Sequence, residues 1–188
     1  MQRWHNLIGL LANRFFVIFV GRSIAPSAVI KYRSPELVCL HEAGHAITAL
    51  MVGARVVGME LYLDDPPPHA RTRCLRNDEQ RPIIALGGFA VERRLWEDSR
   101  LLWEDDRRPT EKEMLDESAR NAAIDRVSYF GADYSLDGHW PVEMDLEFMM
   151  AAQKLGRRLN LEAVTRVASA LLRKRRLDEV TIKKLAGL

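Results

Sequence analysis

The chain has 188 residues, enough for one domain with a real core or for one domain plus an appendage. Apolar residues make up 47%, which is a globular proportion, and Lys+Arg 28 against Asp+Glu 26 leave a net charge of +2. That balance gives nucleic-acid binding no global electrostatic support. Cys39 and Cys74 form no CxxC pair and no disulfide-dense pattern. They fit a reducing, cytoplasmic setting with both thiols free and buried.

Residues 1–33 read as an apolar and basic N-terminal segment. "NLIGLLANRFFVIFVG" is broken by Asn13 and Arg14, and the run "FFVIFVG" is far short of the roughly 20 residues that a membrane-spanning helix needs. Arg14 also interrupts any signal-peptide core. Trp4, Leu7, Ile8, Leu11, Phe15, Ile18 and Phe19 fall at helical spacing. The segment is therefore expected to dock on the core or on a second copy of the chain. Membrane contact as an interfacial anchor, helped by Arg3, Arg14, Arg22 and Lys31, is the less favoured reading.

Pro26 and "RSP" at 33–35 separate this segment from a domain over 34–188. Ser34 reads as an N-cap, Pro35 as the first helical position and Glu36 as an early-turn acid. A helix is expected from there to about Val52, with Gly53 as its stop. "RVVGMELYLDD" at 55–65 is strand-like, "DDPPP" ends it, and "HARTRC" reads as a returning strand. Residues 79–97 read as a helix whose Gly87-Gly88 pair signals close packing against another backbone, or a break. Residues 97–147 are acid-rich and read as solvated surface, within which Thr110 and Glu113 make a capping box opening a helix toward Tyr129. Gly131, Gly138 and Pro141 mark a loop. From Val142 onward the chain reads as two or three helical segments with a basic run at 173–176. The fold class expected is mainly α with a small β element.

Function is concentrated in "LVCLHEAGHAITAL" at 37–50. Helical positions four apart share a face, with Cβ atoms about 5–6 Å apart. His41 and His45 can thus point two imidazole nitrogens at one cation, and Zn²⁺ accepts such nitrogens at about 2.0–2.1 Å. Glu42 lies about 100° round the helix, off the metal but placed to take a proton from water attacking a carbonyl. Val38, Leu40, Ala43, Ala46, Ile47, Ala49 and Leu50 make the helix apolar almost all round, so it is expected to be buried. Buried histidines and a glutamate need partners, which favours a metal site over idle core residues. A catalytic zinc needs a third protein ligand. His69, Glu92, His139 and Asp145 are candidates, and spacing alone does not choose among them.

"LVCLHEAGHAITALMVG" resembles the start of the zinc peptidase domain of the FtsH-type ATP-dependent metalloproteases. "IIALGGFAVERRLW" at 83–96 is similar to a later helix of that domain, "MDLEFMMAAQKL" at 144–155 to the helix carrying its aspartate ligand, and "ALLRKRRLDEVTIKKL" at 170–185 to its C-terminal end. The resemblance implies that fold, with His41, His45 and Asp145 holding zinc, Glu42 as general base and Glu92 beside the site. It implies that the strand near 69–75 pairs with an extended substrate. Residues 98–140 read as an insertion in that domain. No "GxxxxGK" P-loop occurs in these 188 residues, so the activity expected is a zinc metalloendopeptidase acting on flexible or unfolded segments without an ATPase of its own. The partners expected are a protein or peptide substrate, other copies of the chain in a homo-oligomer, and a separate ATPase. The alternatives are a zinc-binding regulatory module without turnover, and a zinc hydrolase of a small non-peptide substrate, which a closed pocket with no exposed strand edge would favour.

Overall fold

The computed structural model describes residues 24–25, 27–64, 67–121, 123–131 and 142–188. The readings for residues 1–23 and for His139 lie outside the described residues. Among the described residues the chain is mainly helical with a small β element.

A short strand β1 (Ile30–Lys31) leads into helix α1 (Pro35–Met51). The Ser34 hydroxyl caps α1 by accepting from the Leu37 N–H at 3.2 Å, and Pro35 opens its first turn. The helix closes at Val52, and Gly53 follows with φ 74°, the left-handed conformation in which a glycine costs little. Leu37, Leu40, Ala43, Ile47 and Ala49 are all buried, so the nearly all-round apolar pattern of α1 reflects a central helix.

Strands β2 (Arg55–Tyr62) and β3 (His69–Leu75) follow and pair antiparallel, in register from Tyr62 opposite His69 back to Arg55 opposite Leu75, with an irregularity between Val56 and Gly58. The three-stranded sheet has the order β3-β2-β5, where β5 is Arg176–Asp178 near the C-terminus. β3 is therefore an edge strand. Ala70, Thr72 and Cys74 alternate with the exposed His69, Arg71 and Arg73, the period-two pattern of a half-covered strand.

The helix expected over 79–97 is two helices, α2 (Gln80–Ala85) and α3 (Gly87–Glu97), joined at Leu86. Both readings of the glycine pair hold. The chain breaks here, and Gly87 meets α1 backbone to backbone, since a Cβ built on it would lie 2.6 Å from the Gly44 carbonyl oxygen. The reciprocal Cβ on Gly44 would collide with the Gly87 carbonyl. Two glycines on facing helices thus bring α3 against α1.

The segment expected to be an insertion is joined to the core. β4 (Leu101–Leu102) pairs parallel with β1, and helix α4 (Glu111–Asn121) packs on α3. The Thr110–Glu113 capping box is present: Thr110 N–H donates to Glu113 at 2.8 Å, and Glu113 N–H donates to the Thr110 hydroxyl at 3.3 Å. Helix α5 (Ala123–Phe130) then runs beside α2. The remainder is α6 (Val142–Gly156), α7 (Leu161–Lys174) and α8 (Glu179–Ala186), with β5 between the last two. α6 packs on α3 through Phe148, which stacks on Phe89 with ring centroids 5.5 Å apart, and α7 packs against α1. Burying each such aromatic or aliphatic side chain contributes about 1.5–3 kcal/mol.

Candidate metal centre

α1 presents His41 and His45 on one face, as the four-residue spacing requires. Their Nε2 atoms lie 3.1 Å apart. Each ring is held from behind. His41 Nδ1 donates to the Glu92 carboxylate on α3 at 2.6 Å, and His45 Nδ1 donates to the Ile84 carbonyl at the end of α2 at 2.8 Å. Those hydrogen bonds place the ring protons on Nδ1 and turn both Nε2 lone pairs toward the same point. Glu92 is itself buried, at 2% exposure, and the Ser118 hydroxyl of α4 donates to its second oxygen at 3.3 Å. Gly88 makes the space for this arrangement, because a Cβ there would overlap the His41 ring.

The third corner is Asp125, in the first turn of α5. Its Oδ2 is 3.2 Å from His41 Nε2 and 3.3 Å from His45 Nε2. Three donor atoms thus form a nearly equilateral triangle with edges of 3.1, 3.2 and 3.3 Å. A tetrahedral zinc with ligands at about 2.0–2.1 Å sets its ligand atoms about 3.3–3.4 Å apart. The triangle matches one face of that tetrahedron, and two imidazoles with a carboxylate are a donor set zinc accepts.

The electrostatics agree. Two imidazole nitrogens and a carboxylate oxygen facing one point call for a positive charge between them, a proton in the metal-free protein or a bound cation in its place. Burial alone would push both imidazoles down, but Asp125 and Glu92 reverse this for His41, and Asp125 for His45. Both are held above their ordinary 6.5, His41 well above it. Burial likewise works to raise Asp125, yet the two imidazoles hold its carboxyl well below the usual range.

The aspartate proposed from the family resemblance is elsewhere. Asp145 is on α6, with its side chain 39% exposed and paired to Arg126 Nη1 at 3.3 Å. Phe148 and Ala152 dock α6 on α3, and that packing leaves Asp145 beside Arg126 while Asp125, one residue away from that arginine, faces the histidines. Glu92 supports His41 from behind, as the resemblance implied. His69 opens β3, exposed and stacked on Tyr62 with centroids 4.9 Å apart, so it is no part of the triangle. Asp125 falls in the acid-rich stretch 97–147 that reads as solvated surface. The available signal was that it is the sole acid between Glu117 and Asp133, with Ala122, Ala123, Ile124 and Val127 around it.

Glu42 is half-buried, and its carboxylate lies within 4.8 Å of donor atoms of both histidines. A cavity of about 870 Å³ adjoins the centre, lined by His41, Glu42 and His45, by residues of β3 and by Ile124 and Ser128 of α5. A second cavity of about 270 Å³ shares His41, Glu42, His69 and Ala70 with the first and continues between Leu37, Val38 and the Pro67-Pro68 turn. Glu42 thus lines both cavities, where they join into one groove. The Thr72 hydroxyl donates to the Glu42 carbonyl at 3.0 Å, which fixes the edge strand beside the centre. The thiols take no part: both are free, and burial pushes Cys39 up to about 12 and Cys74 up to about 11. No helix of the described residues is long and apolar enough to cross a membrane. A scan of protein-family models and a search of curated proteins each found no match to this chain.

Proposed function

We propose that the protein is a zinc-dependent metalloendopeptidase that hydrolyses peptide bonds in extended, flexible or unfolded protein segments. The observation that carries this reading is the triangle of His41 Nε2, His45 Nε2 and Asp125 Oδ2 beside Glu42, set under the open edge of β3. His41, His45 and Asp125 would hold the zinc, and the ion would polarise the scissile carbonyl and stabilise negative charge on its oxygen. Glu42 takes the proton from the attacking water and returns it to the leaving amine. Among the described residues no strand pairs with the outer edge of β3, so its N–H and C=O groups are open to an extended chain, and main-chain pairing positions the substrate across Glu42. A groove bordered by a free strand edge favours a peptide over a small closed-pocket substrate. The similarity of "LVCLHEAGHAITALMVG" to the FtsH-type peptidase domain points the same way. With no P-loop in the sequence, a stably folded substrate is expected to resist unless a separate ATPase unfolds it.

Glu42→Gln tests this reading. It keeps size and hydrogen bonding but removes the base, so zinc content and folding should stay near wild type while hydrolysis of a casein-type substrate falls about 10²–10⁴-fold. Unchanged hydrolysis would refute the assignment. A wild-type protein loaded with zinc yet inert on every unfolded substrate would favour a regulatory module.

A further inference from the structure

The groove is not neutral along its length. Besides the centre itself, its lining includes Arg71 on β3 beside the centre, Arg76 just after β3 and Arg81 on α2. All three are exposed. Among the described residues none of the three side chains forms an ion pair or a hydrogen bond, whereas their neighbour Arg73 pairs with Glu60 at 3.4 Å. Arg71 feels Glu60 only through space. The acids lining this cavity are Glu42 and Asp125, and both belong to the centre itself. Asp78 and Glu79, on the turn between Arg76 and Arg81, do not line it.

Unpartnered guanidinium groups along a substrate groove have a direct consequence. A chain paired to the β3 edge must run past them, and an acidic side chain there gains charge-assisted hydrogen bonds while a basic one is repelled. We infer that this arm of the groove selects extended peptides carrying aspartate or glutamate to one side of the scissile bond. The inference rests on the peptidase reading for the word scissile, but not for the binding preference. Each exposed charge pair changes affinity modestly, so Arg76 and Arg81 together favour an acidic peptide over its neutral counterpart by about 2–30-fold at low salt.

The test uses labelled unstructured peptides identical except for a short block of Asp, Ser or Arg on either side of a central apolar pair. Their affinities for zinc-loaded Glu42→Gln protein are read by fluorescence anisotropy, and their cleavage by wild type is followed in parallel. The expected result is that an Asp block on one side binds tightest and an Arg block weakest, with the ratio shrinking as salt is raised. Arg76→Glu with Arg81→Glu should invert the order. Equal binding of the three peptides by unmodified arginines would overturn the inference without need of any variant. So would a preference that survives the double charge reversal, or a single-stranded oligonucleotide that displaces the acidic peptide and binds more tightly. Ordered binding with no cleavage of any peptide would leave the charge selection standing and remove the peptidase reading instead.

Discussion

α1 and α5 both supply the candidate metal centre, yet they do so by different physics. α1 supplies His41, Glu42 and His45 from one turn, so their relation is set by helix geometry alone. α5 supplies Asp125 from 80 positions beyond His45, and only the packing of α2, α3 and α4 between them brings it within 3.3 Å. The first relation is local and is written in the spacing. The second is tertiary, and no spacing encodes it.

The histidines of α1 still depend on tertiary supports. Glu92 touches His41 from α3, and Ser118 touches Glu92 from α4. Loss of such an outer partner typically costs 10–100-fold in metal affinity. Glu92→Gln should therefore weaken zinc binding by about that factor in a chelator competition, with secondary structure unchanged by circular dichroism. An unaltered affinity would mean that α1 holds the metal without help.

Steric support is the next largest effect. Gly88→Ala puts a methyl group into the His41 ring, and Gly44→Ala puts one into the Gly87 carbonyl. Overpacking of this kind costs about 1–3 kcal/mol. Both variants should melt earlier than wild type. Gly88→Ala should in addition lose zinc affinity, because its clash is with the His41 ring, while Gly44→Ala should act mainly on the α1–α3 contact. Equal zinc loss in both would erase that distinction.

The smallest effect is in the proton balance. Both histidines are held above 6.5 in the folded metal-free protein, so there the pair contributes stability that is fully present below about pH 6.5 and is lost as pH rises through the raised values. Chelator-treated protein should accordingly gain melting temperature as pH is lowered from about 8 toward 6.5. Zinc needs the same lone pairs free, so its stabilising increment should shrink over that range and its binding should release protons into a weakly buffered solution. A zinc increment independent of pH would contradict the shared site.

The sequence made α1 legible almost to the residue. Ser34, Pro35 and Gly53 are local signals, and the capping box at Thr110 and Glu113 is another. The β2–β3 hairpin followed from the β-branched and aromatic residues of 55–65 and from the proline run that separates the strands. What sequence could not decide was where each acid of 97–147 would face. Asp125 and Asp145 both occupy the first turn of a helix, and tertiary packing, α5 on α2 and α6 on α3, leaves one with the histidines and the other with Arg126. The resemblance to a ligand helix points to Asp145, whereas the acid beside the histidines in the fold is Asp125. The break at Leu86 was equally a matter of tertiary contact, since it allows Ile84 to reach His45 and Gly87 to reach Gly44.

Asp125 is the proposed third ligand. A zinc competition titration against a chromogenic chelator, run on wild type, Asp125→Asn and Asp145→Asn under one set of conditions, tests it most directly. Asp125→Asn should lose affinity by more than the roughly 10–100-fold expected for an outer partner, while Asp145→Asn should stay close to wild type. The reverse order, with Asp145→Asn losing the zinc and Asp125→Asn keeping it, would contradict the account.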